Sequence, residues 1–334
     1  MFIANIINKK PYRAIALFSG GLDSVLAVFW MQHLGYEVIP VFFEAAYIFP
    51  NKALKVAEEN GLELLVRDIS QKHLEMLRNP KRGYGKNLNP CIDCHSLMIQ
   101  EAAMMLPELN VDFIITGEVL GQRPMSQNLD SLKAIDKMSG AGDLVIRPLS
   151  QKLLPDTRPI REGWINKEQM LDISGRGRSR QLQLAEQFGI SHLQPAGGCL
   201  LTDHNYSMRL GDLMIHNQDK LEDVRLLYWG RHFRLSEEIK LIVGRNATDN
   251  AGLESENYPG LYLKIRDVEG PLALLTVKEP PAEILELAAS IVLFYSRKAS
   301  SPGYIKYGVD KKFNNEIKVE KCPENIIRSY LISS

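Results

Sequence analysis

The sequence lacks a net charge: 40 Lys and Arg stand against 40 Asp and Glu in 334 residues. Overall electrostatics therefore argues neither for nor against a polyanionic partner, and only local clusters can. Cysteine is scarce, with four in the whole chain, too few for a disulfide framework at this length. Long apolar runs are missing as well. The longest, Leu285 to Tyr295, is shorter than a bilayer requires and contains Glu286. The apolar start Met1 to Ile7 has its charges, Lys9 and Lys10, on the wrong side for a secretory signal. Internal repeats and low-complexity tracts are absent. Together these absences predict a soluble, cytoplasmic protein with no membrane partner. What is present is enough apolar residue, 45%, to bury a sizeable core, in a length that suits two or three domains.

Short apolar segments alternate with helical ones through the first half. Arg13 to Phe18, Glu37 to Phe43, Leu62 to Val66 and Val111 to Thr116 read as buried strands. Val25 to Leu34 and Asn51 to Asn60 read as helices, closed by Gly35 and Gly61. This predicts an α/β domain with a parallel sheet covered on both faces and ligands bound beyond the carboxyl ends of its strands, where Ser19 and Gly117 fall. Gln127 to Gly142 is polar and reads as a surface segment, and Gln181 to Phe188 as a short helix. After Thr202 the pattern changes. Strands at Lys240 to Val243, Leu261 to Ile265 and Leu272 to Val277, with a helix at Ala282 to Tyr295, predict a smaller α+β module. The expected division is 1–202, a helical connector at 203–235, and 236–334.

Ser19-Gly-Gly-Leu-Asp-Ser24 lies between a predicted strand and a predicted helix. Gly20 and Gly21 let the backbone turn sharply beside an anion, and the helix N-terminus presents free N–H groups to it. Ser19 and Ser24 add hydroxyl donors. Asp23 repels phosphate unless a Mg²⁺ ion lies between them, which predicts that metal. The loop has no Gly-Lys-Ser/Thr, so it is not a Walker A loop, and it is not Gly-x-Gly-x-x-Gly. The bland alternative is a plain strand-to-helix turn.

These six residues resemble the signature of the PP-loop ATP pyrophosphatases, which adenylate a substrate and release pyrophosphate. Thr116-Gly-Glu-Val-Leu-Gly-Gln122 is similar to the matching segment of the 4-thiouridine synthetases. The resemblance covers residues 13 to about 202. It implies an adenine nucleotide alpha hydrolase-like fold and an ATP site drawn from Phe18, Ser19, Gly20, Gly21, Asp23, Ser24, Phe43, Gly117 and Gln122, with Phe18 and the Phe42–Phe43 pair near adenine.

Asn89-Pro-Cys91-Ile-Asp-Cys94-His95 reads as a Pro- and Asn-rich loop, and Cys199 follows in Pro-Ala-Gly-Gly-Cys. From the residues alone three readings stay open. Cys91, Cys94 and Cys199 bind an iron–sulfur cluster with one iron left open; His95 completes a zinc site with them; or one cysteine carries a persulfide and another resolves it. Cys322 fits an inert buried thiol. The 2-thiouridine synthetases carry Asp where this chain has Cys91. A third cysteine there resembles the cluster-dependent thiolation enzymes and implies a [4Fe-4S] cluster on Cys91, Cys94 and Cys199.

Arg176, Arg178 and Arg180 alternate in a Gly-rich segment, with Arg158 and Arg161 upstream, and are candidate RNA phosphate contacts. Val243-Gly-Arg-Asn246 and the helix ending Phe-Tyr-Ser-Arg-Lys298 resemble the NFACT-R module, a predicted RNA-binding domain, over about 235–310. Arg245, Lys298 and Lys306 are its candidate contacts. It departs from the module in lacking the usual Trp/His-rich strand. From Arg297 to Lys321 seven Lys/Arg face three Asp/Glu. The alternative is a module that only packs or makes a homodimer. Only a dozen residues precede the first strand, which leaves no room for the RNA-capturing region of the 4-thiouridine synthetases, so this module is expected to hold the substrate. The whole predicts a tRNA uridine sulfurtransferase using ATP, Mg²⁺ and a sulfur donor (sulfide or a persulfide carrier), with Asp23, Cys94 and Cys199 catalytic. The rivals are a PP-loop enzyme of small-metabolite chemistry and an RNA- or ribosome-binding factor that senses nucleotide.

Overall fold

The computed structural model describes residues 10–192 and 199–332. They belong to two compact units, Met1–Cys199 and Leu200–Ser334. The first runs β1 (Arg13–Leu17), α1 (Leu22–His33), β2 (Glu37–Glu44), α2 (Asn51–Glu59), β3 (Leu65–Asp68), α3 (Ser70–Arg78), α4 (Cys91–Leu109), β4 (Phe113–Ile115), α5 (Leu129–Ser139), β5 (Val145–Ile146), α6 (Arg158–Arg161) and α7 (Ser179–Phe188).

The five strands form one sheet in the order β3-β2-β1-β4-β5, parallel throughout. β1 is central, with Ala14, Ile15 and Ala16 fully buried, because each of its faces meets a helical layer. On one face Val25, Val28 and Met31 of α1 and Val56 of α2 pack with Phe113 and Ile115. On the other Ile99, Ala102 and Met105 of α4 and Ile135 of α5 pack with Ile15 and Ile114. This double covering is why the strands read as unbroken apolar runs. The strand order reverses at β1, so the crevice opens between the carboxyl ends of β1 and β4.

Two local expectations are corrected. The segment 127–142 is not merely polar surface: it carries α5, capped by the Asn128 side chain, which accepts from the Ser131 N–H, and closed by Gly140 in the left-handed region. Cys91 and Cys94 do not lie in a loop. They open α4, which Pro90 precedes. Asp93 secures the chain before it, accepting from the backbone N–H of Lys81 at 2.6 Å and of Arg82 at 3.1 Å.

The second unit runs α8 (His204–Ile215), α9 (Leu221–Leu226), β6 (Arg231–Arg234), β7 (Lys240–Val243), α10 (Ala247–Ser255), β8 (Leu261–Ile265), β9 (Leu272–Leu275), α11 (Ala282–Phe294), β10 (Gly303–Val309), β11 (Asn315–Val319) and α12 (Glu324–Tyr330). Its six strands make an antiparallel sheet, β11-β10-β8-β9-β7-β6. α11 packs on one face of it. The segment 203–235, expected as a connector, forms α8, α9 and the edge strand β6 of this unit. Among the described residues no helix is long and apolar enough to cross a membrane.

Candidate active site

The loop after β1 turns at Gly20, whose φ of 74° lies in the left-handed region, where a side chain would be strained. Gly21 is extended at φ −73° and caps α1 with no side-chain acceptor. The first-turn N–H groups therefore stay available to an anion. The two serines brace the loop. Ser24 Oγ donates to Gly21 O at 2.8 Å and accepts from the Ser19 N–H at 3.2 Å.

The segment after β4 is built onto this loop. A Cβ at Gly117 would meet Ser24 N at 2.6 Å, so only glycine lets the two backbones touch. Gln122 Nε2 donates to Asp23 Oδ2 at 2.5 Å, and Gln122 Oε1 accepts from Gln181 Nε2 of α7 at 2.9 Å. The other carboxylate oxygen, Asp23 Oδ1, is buried with no hydrogen-bond partner among the described residues. Burial raises the Asp23 pKa, against the Gln122 hydrogen bond and the Arg178 and Arg123 charges. A buried, orphaned carboxylate oxygen at a phosphate loop fits a Mg²⁺ ligand.

The same segment reaches the cysteine helix. Glu118 accepts from His95 Nδ1 at 2.8 Å, Thr116 Oγ1 at 3.1 Å and Arg147 Nε at 2.8 Å. Burial opposes its ionisation, but Arg147 and His95 bring its pKa down to about 2. Arg147 also grips both oxygens of Asp136, at 3.0 and 2.7 Å. His95, weighed as a zinc ligand, is thus engaged with Glu118.

Cys91 Sγ donates to Asn89 Oδ1 at 2.9 Å. Cys94 Sγ lies 3.2 Å from His73 Nε2, and His73 Nδ1 lies 2.6 Å from the Tyr47 hydroxyl. Burial lowers the His73 pKa to about 4, so this imidazole is neutral at pH 7. Burial pushes the Cys94 thiol up, and Cys199 and Cys91 add to that. Cys94 is therefore the thiol on which both of the others act. Arg123 acts on both Asp23 and Cys91, so one cation serves the phosphate loop and the first residue of the cysteine helix. Three cysteines, which give up their protons on binding metal, suit an iron–sulfur centre in their donor chemistry. Among the described residues, no three His, Cys, Asp or Glu side chains are already drawn together as a metal site. The glycines before Cys199, 197 and 198, lie outside the described residues.

Other expected contacts fare differently. Phe18 and Phe43 are each 3% exposed and belong to the two cores, which leaves only their backbone for a nucleotide. Arg176 is exposed, Arg178 precedes α7, and Arg180 pairs with Asp172 at 2.7 Å. Arg245 closes on Asp249 at 2.6 Å, beside the Asn246 cap of α10. Lys298 pairs with Glu269 at 3.3 Å, and Lys306 lies on β10. Sequence reading missed His73, Glu118, Arg123, Arg147 and Gln181. Only Glu118 carried a signal, its place inside the Thr116–Gln122 segment.

Comparison with known proteins gives two family matches: residues 11–152 match the thiamine biosynthesis protein (ThiI) family, and residues 230–331 the NFACT protein RNA binding domain. The chain thus carries a ThiI-type PP-loop domain and an NFACT-type module, as the motifs predict. A probable tRNA sulfurtransferase of Thermococcus kodakarensis is 33% identical over 144 residues, 41% of this chain and 36% of the relative. The tRNA-specific 2-thiouridylase MnmA of Karelsulcia muelleri is 24% identical over 189 residues, 51% and 48% of the two. The chain therefore spans about a third to a half of these relatives' length. Among solved structures, a 4-thiouridine synthetase–RNA complex with bound ATP aligns at TM-score 0.37 and 24% identity over 53% of this chain and 41% of that one. The U34-tRNA thiolase NcsA from Methanococcus maripaludis, with its [4Fe-4S] cluster, aligns at 0.33 and 16% over 68% and 74%.

Proposed function

We propose that this chain is an ATP-dependent tRNA uridine sulfurtransferase. The observation that carries the proposal is the segment Thr116–Gln122. It binds the phosphate loop through Gly117 and Gln122 and the cysteine helix through Glu118, so nucleotide activation and thiol chemistry share one edge of the sheet. The names of the relatives support the same reading.

In this reading the N–H groups at the start of α1 hold the pyrophosphate of ATP, and Asp23 holds Mg²⁺ against it. The uridine carbonyl oxygen attacks the α-phosphorus, and pyrophosphate leaves. A sulfur nucleophile then adds to the adenylated carbon, and AMP departs with the original oxygen, leaving a thiocarbonyl. Arg123 and Arg178 balance the negative charge near Asp23. The protein's part is to align base, nucleotide and sulfur. Cys91, Cys94 and Cys199 would hold a [4Fe-4S] cluster, which when bound supplies a place for inorganic sulfide. The His73 nitrogen at the Cys94 sulfur favours a second reading, in which a persulfide donor loads Cys94, the outer sulfur displaces AMP, and Cys91 or Cys199 then attacks Cys94 Sγ to free the thiouridine, leaving a disulfide that an external thiol reduces.

The test combines two measurements. Purified with ATP, Mg²⁺, tRNA and sulfide, the protein should release pyrophosphate and form thiouridine, read by mass spectrometry of nucleosides. Prepared without oxygen it should contain iron and labile sulfide, which Cys91→Ser, Cys94→Ser or Cys199→Ser each removes and Cys322→Ser retains. Thiolation without iron, obtained from a persulfide donor and not from sulfide, would favour the persulfide reading. Nucleotide binding with no thiolated product would favour a sensor, and pyrophosphate release on a small substrate a metabolite enzyme.

A further inference from the structure

The sheet of the second unit is covered unequally. α11 packs along β8, β10 and β11 on one face, where Leu263, Ile265, Ile305 and Val319 are buried. On the other, Leu226 of α9 and Leu253 of α10 cover β7, β9 and the start of β8, burying Ile242, Leu274 and Tyr262. Alternation along β8 then brings Lys264 and Arg266 out on the Tyr262 side, beyond that cover. Register extends the open part across two more strands. Lys306 of β10 stands directly opposite Lys264, and Tyr304 stands opposite Lys318 of β11.

The chemistry of this half-face is unusual for a solvated sheet. Two lysines directly opposite on neighbouring strands repel each other. Among the described residues, none of Lys264, Lys306 and Lys318 makes an ion pair. The Arg266 guanidinium lies 3.8 Å from the Tyr304 ring centre, and Lys264 Nζ lies 4.1 Å from that of Phe313. Two acids adjoin the half-face: Asp267 grips the Arg266 guanidinium at 2.7 and 2.8 Å, and Glu316, directly opposite Lys306, is 3.5 Å from Arg266. No large apolar side chain is exposed on this half-face, so nothing on it would enter a bilayer.

We infer that this open half-face binds the phosphate backbone of RNA, with Lys264, Lys306 and Lys318 as phosphate contacts and the Arg266–Tyr304 stack as a platform for a base. The inference rests on the tRNA reading above and says where on the second unit the RNA lies. An incoming phosphate relieves the Lys264–Lys306 repulsion, and a flat guanidinium over an aromatic ring suits an unstacked base. Arg245 and Lys298 are not part of it, since neither lies on β8, β10 or β11.

The test uses the full chain and unmodified tRNA, with affinity measured across a salt series. The triple variant Lys264→Gln, Lys306→Gln, Lys318→Gln should lower the slope of log affinity against log salt by about two to three, at about 0.7–0.9 per lost phosphate contact. Glu316→Gln should tighten binding, an outcome that misfolding does not produce. A matched loss of three cations elsewhere, Lys52→Gln, Lys55→Gln, Lys278→Gln, should leave the slope unchanged. If wild type binds tRNA and the half-face triple variant keeps its slope, or Glu316→Gln weakens binding, the half-face is not the RNA site. Loss of binding to anionic vesicles with tRNA affinity intact would give the face to lipid and overturn the inference. If wild type binds no tRNA, the tRNA reading itself falls.

Discussion

At the scale of single residues, the site shows function held against stability. Asp23 is largely buried, and one of its oxygens has no partner among the described residues, a state that costs about 1–3 kcal/mol. Asp23→Asn keeps an acceptor for Gln122 and removes the buried charge. It should therefore fold with equal or higher thermal stability while pyrophosphate release drops by at least about a hundredfold. Wild-type turnover in this variant would take Asp23 out of the mechanism. His232 presents a different case. It is fully buried, its Nε2–H donates to Trp229 O at 2.8 Å, and its Nδ1 has no partner among the described residues. Burial lowers its pKa well below the ordinary value, and the Lys240 and Arg209 charges add to this. Below about pH 6.5 the unfolded chain takes up a proton that the folded chain refuses. Stability is thus complete above that pH and declines below it, by up to about 1.4 kcal/mol per pH unit. His232→Gln, which still donates to Trp229 O, should show a correspondingly flatter dependence in urea unfolding between pH 6.5 and 5. Equal slopes would mean that His232 is protonated in the folded state.

At the scale of elements, the strands were legible because β1, β2 and β4 are buried on both faces and contain little but apolar residues. The phosphate loop was legible because its chemistry is local, six residues between a strand and a helix. α4 was missed because Asn89-Pro90 reads as a turn. Its apolar stripe, Ile99, Ala102, Met105 and Leu106, begins two turns beyond the cysteines that drew attention. α5 had both a cap at Asn128 and a stop at Gly140, and its polar outer face hid Leu132 and Ile135. No local pattern reveals that His73 on α3 meets Cys94, because that contact exists only once α3 and α4 pack. The same holds for Arg147, which follows β5 and ties Glu118 after β4 to Asp136 on α5. Arg147→Met should leave Glu118 buried without its principal cation and cost about 3–5 kcal/mol in chemical unfolding. Adding Glu118→Gln should recover part of that loss, because the more deeply buried charge is then gone and only the partly exposed Asp136 is left without Arg147. A double variant as unstable as the single one would show that Arg147 acts through packing and not through charge.

At the scale of the whole molecule, the apolar cores sort by unit. The clusters around β1, α1, α4 and α7 draw only on residues before Cys199, and those around α11 and α10 only on residues after it. Sequence reading put the start of the second module at 236, since the pattern of β7, β8 and β9 is the first unmistakable strand signal there. The structure moves the natural division to 199–200, because β6 pairs with β7 and buries Phe233 in the α11 core. Two truncations distinguish these boundaries. A chain ending at Cys199 keeps every strand of the parallel sheet and should melt cooperatively, bind ATP and lose most tRNA affinity. A chain ending at 235 keeps β6 with no neighbour to pair with and exposes Phe233 and Leu235, which the intact sheet buries. An unpaired apolar edge invites association, so this longer fragment should be the less soluble of the two despite its extra residues. Size-exclusion chromatography of both fragments reads the difference directly. If the fragment ending at 235 is monomeric and as soluble as the shorter one, β6 does not need the sheet, and the division belongs nearer to 236.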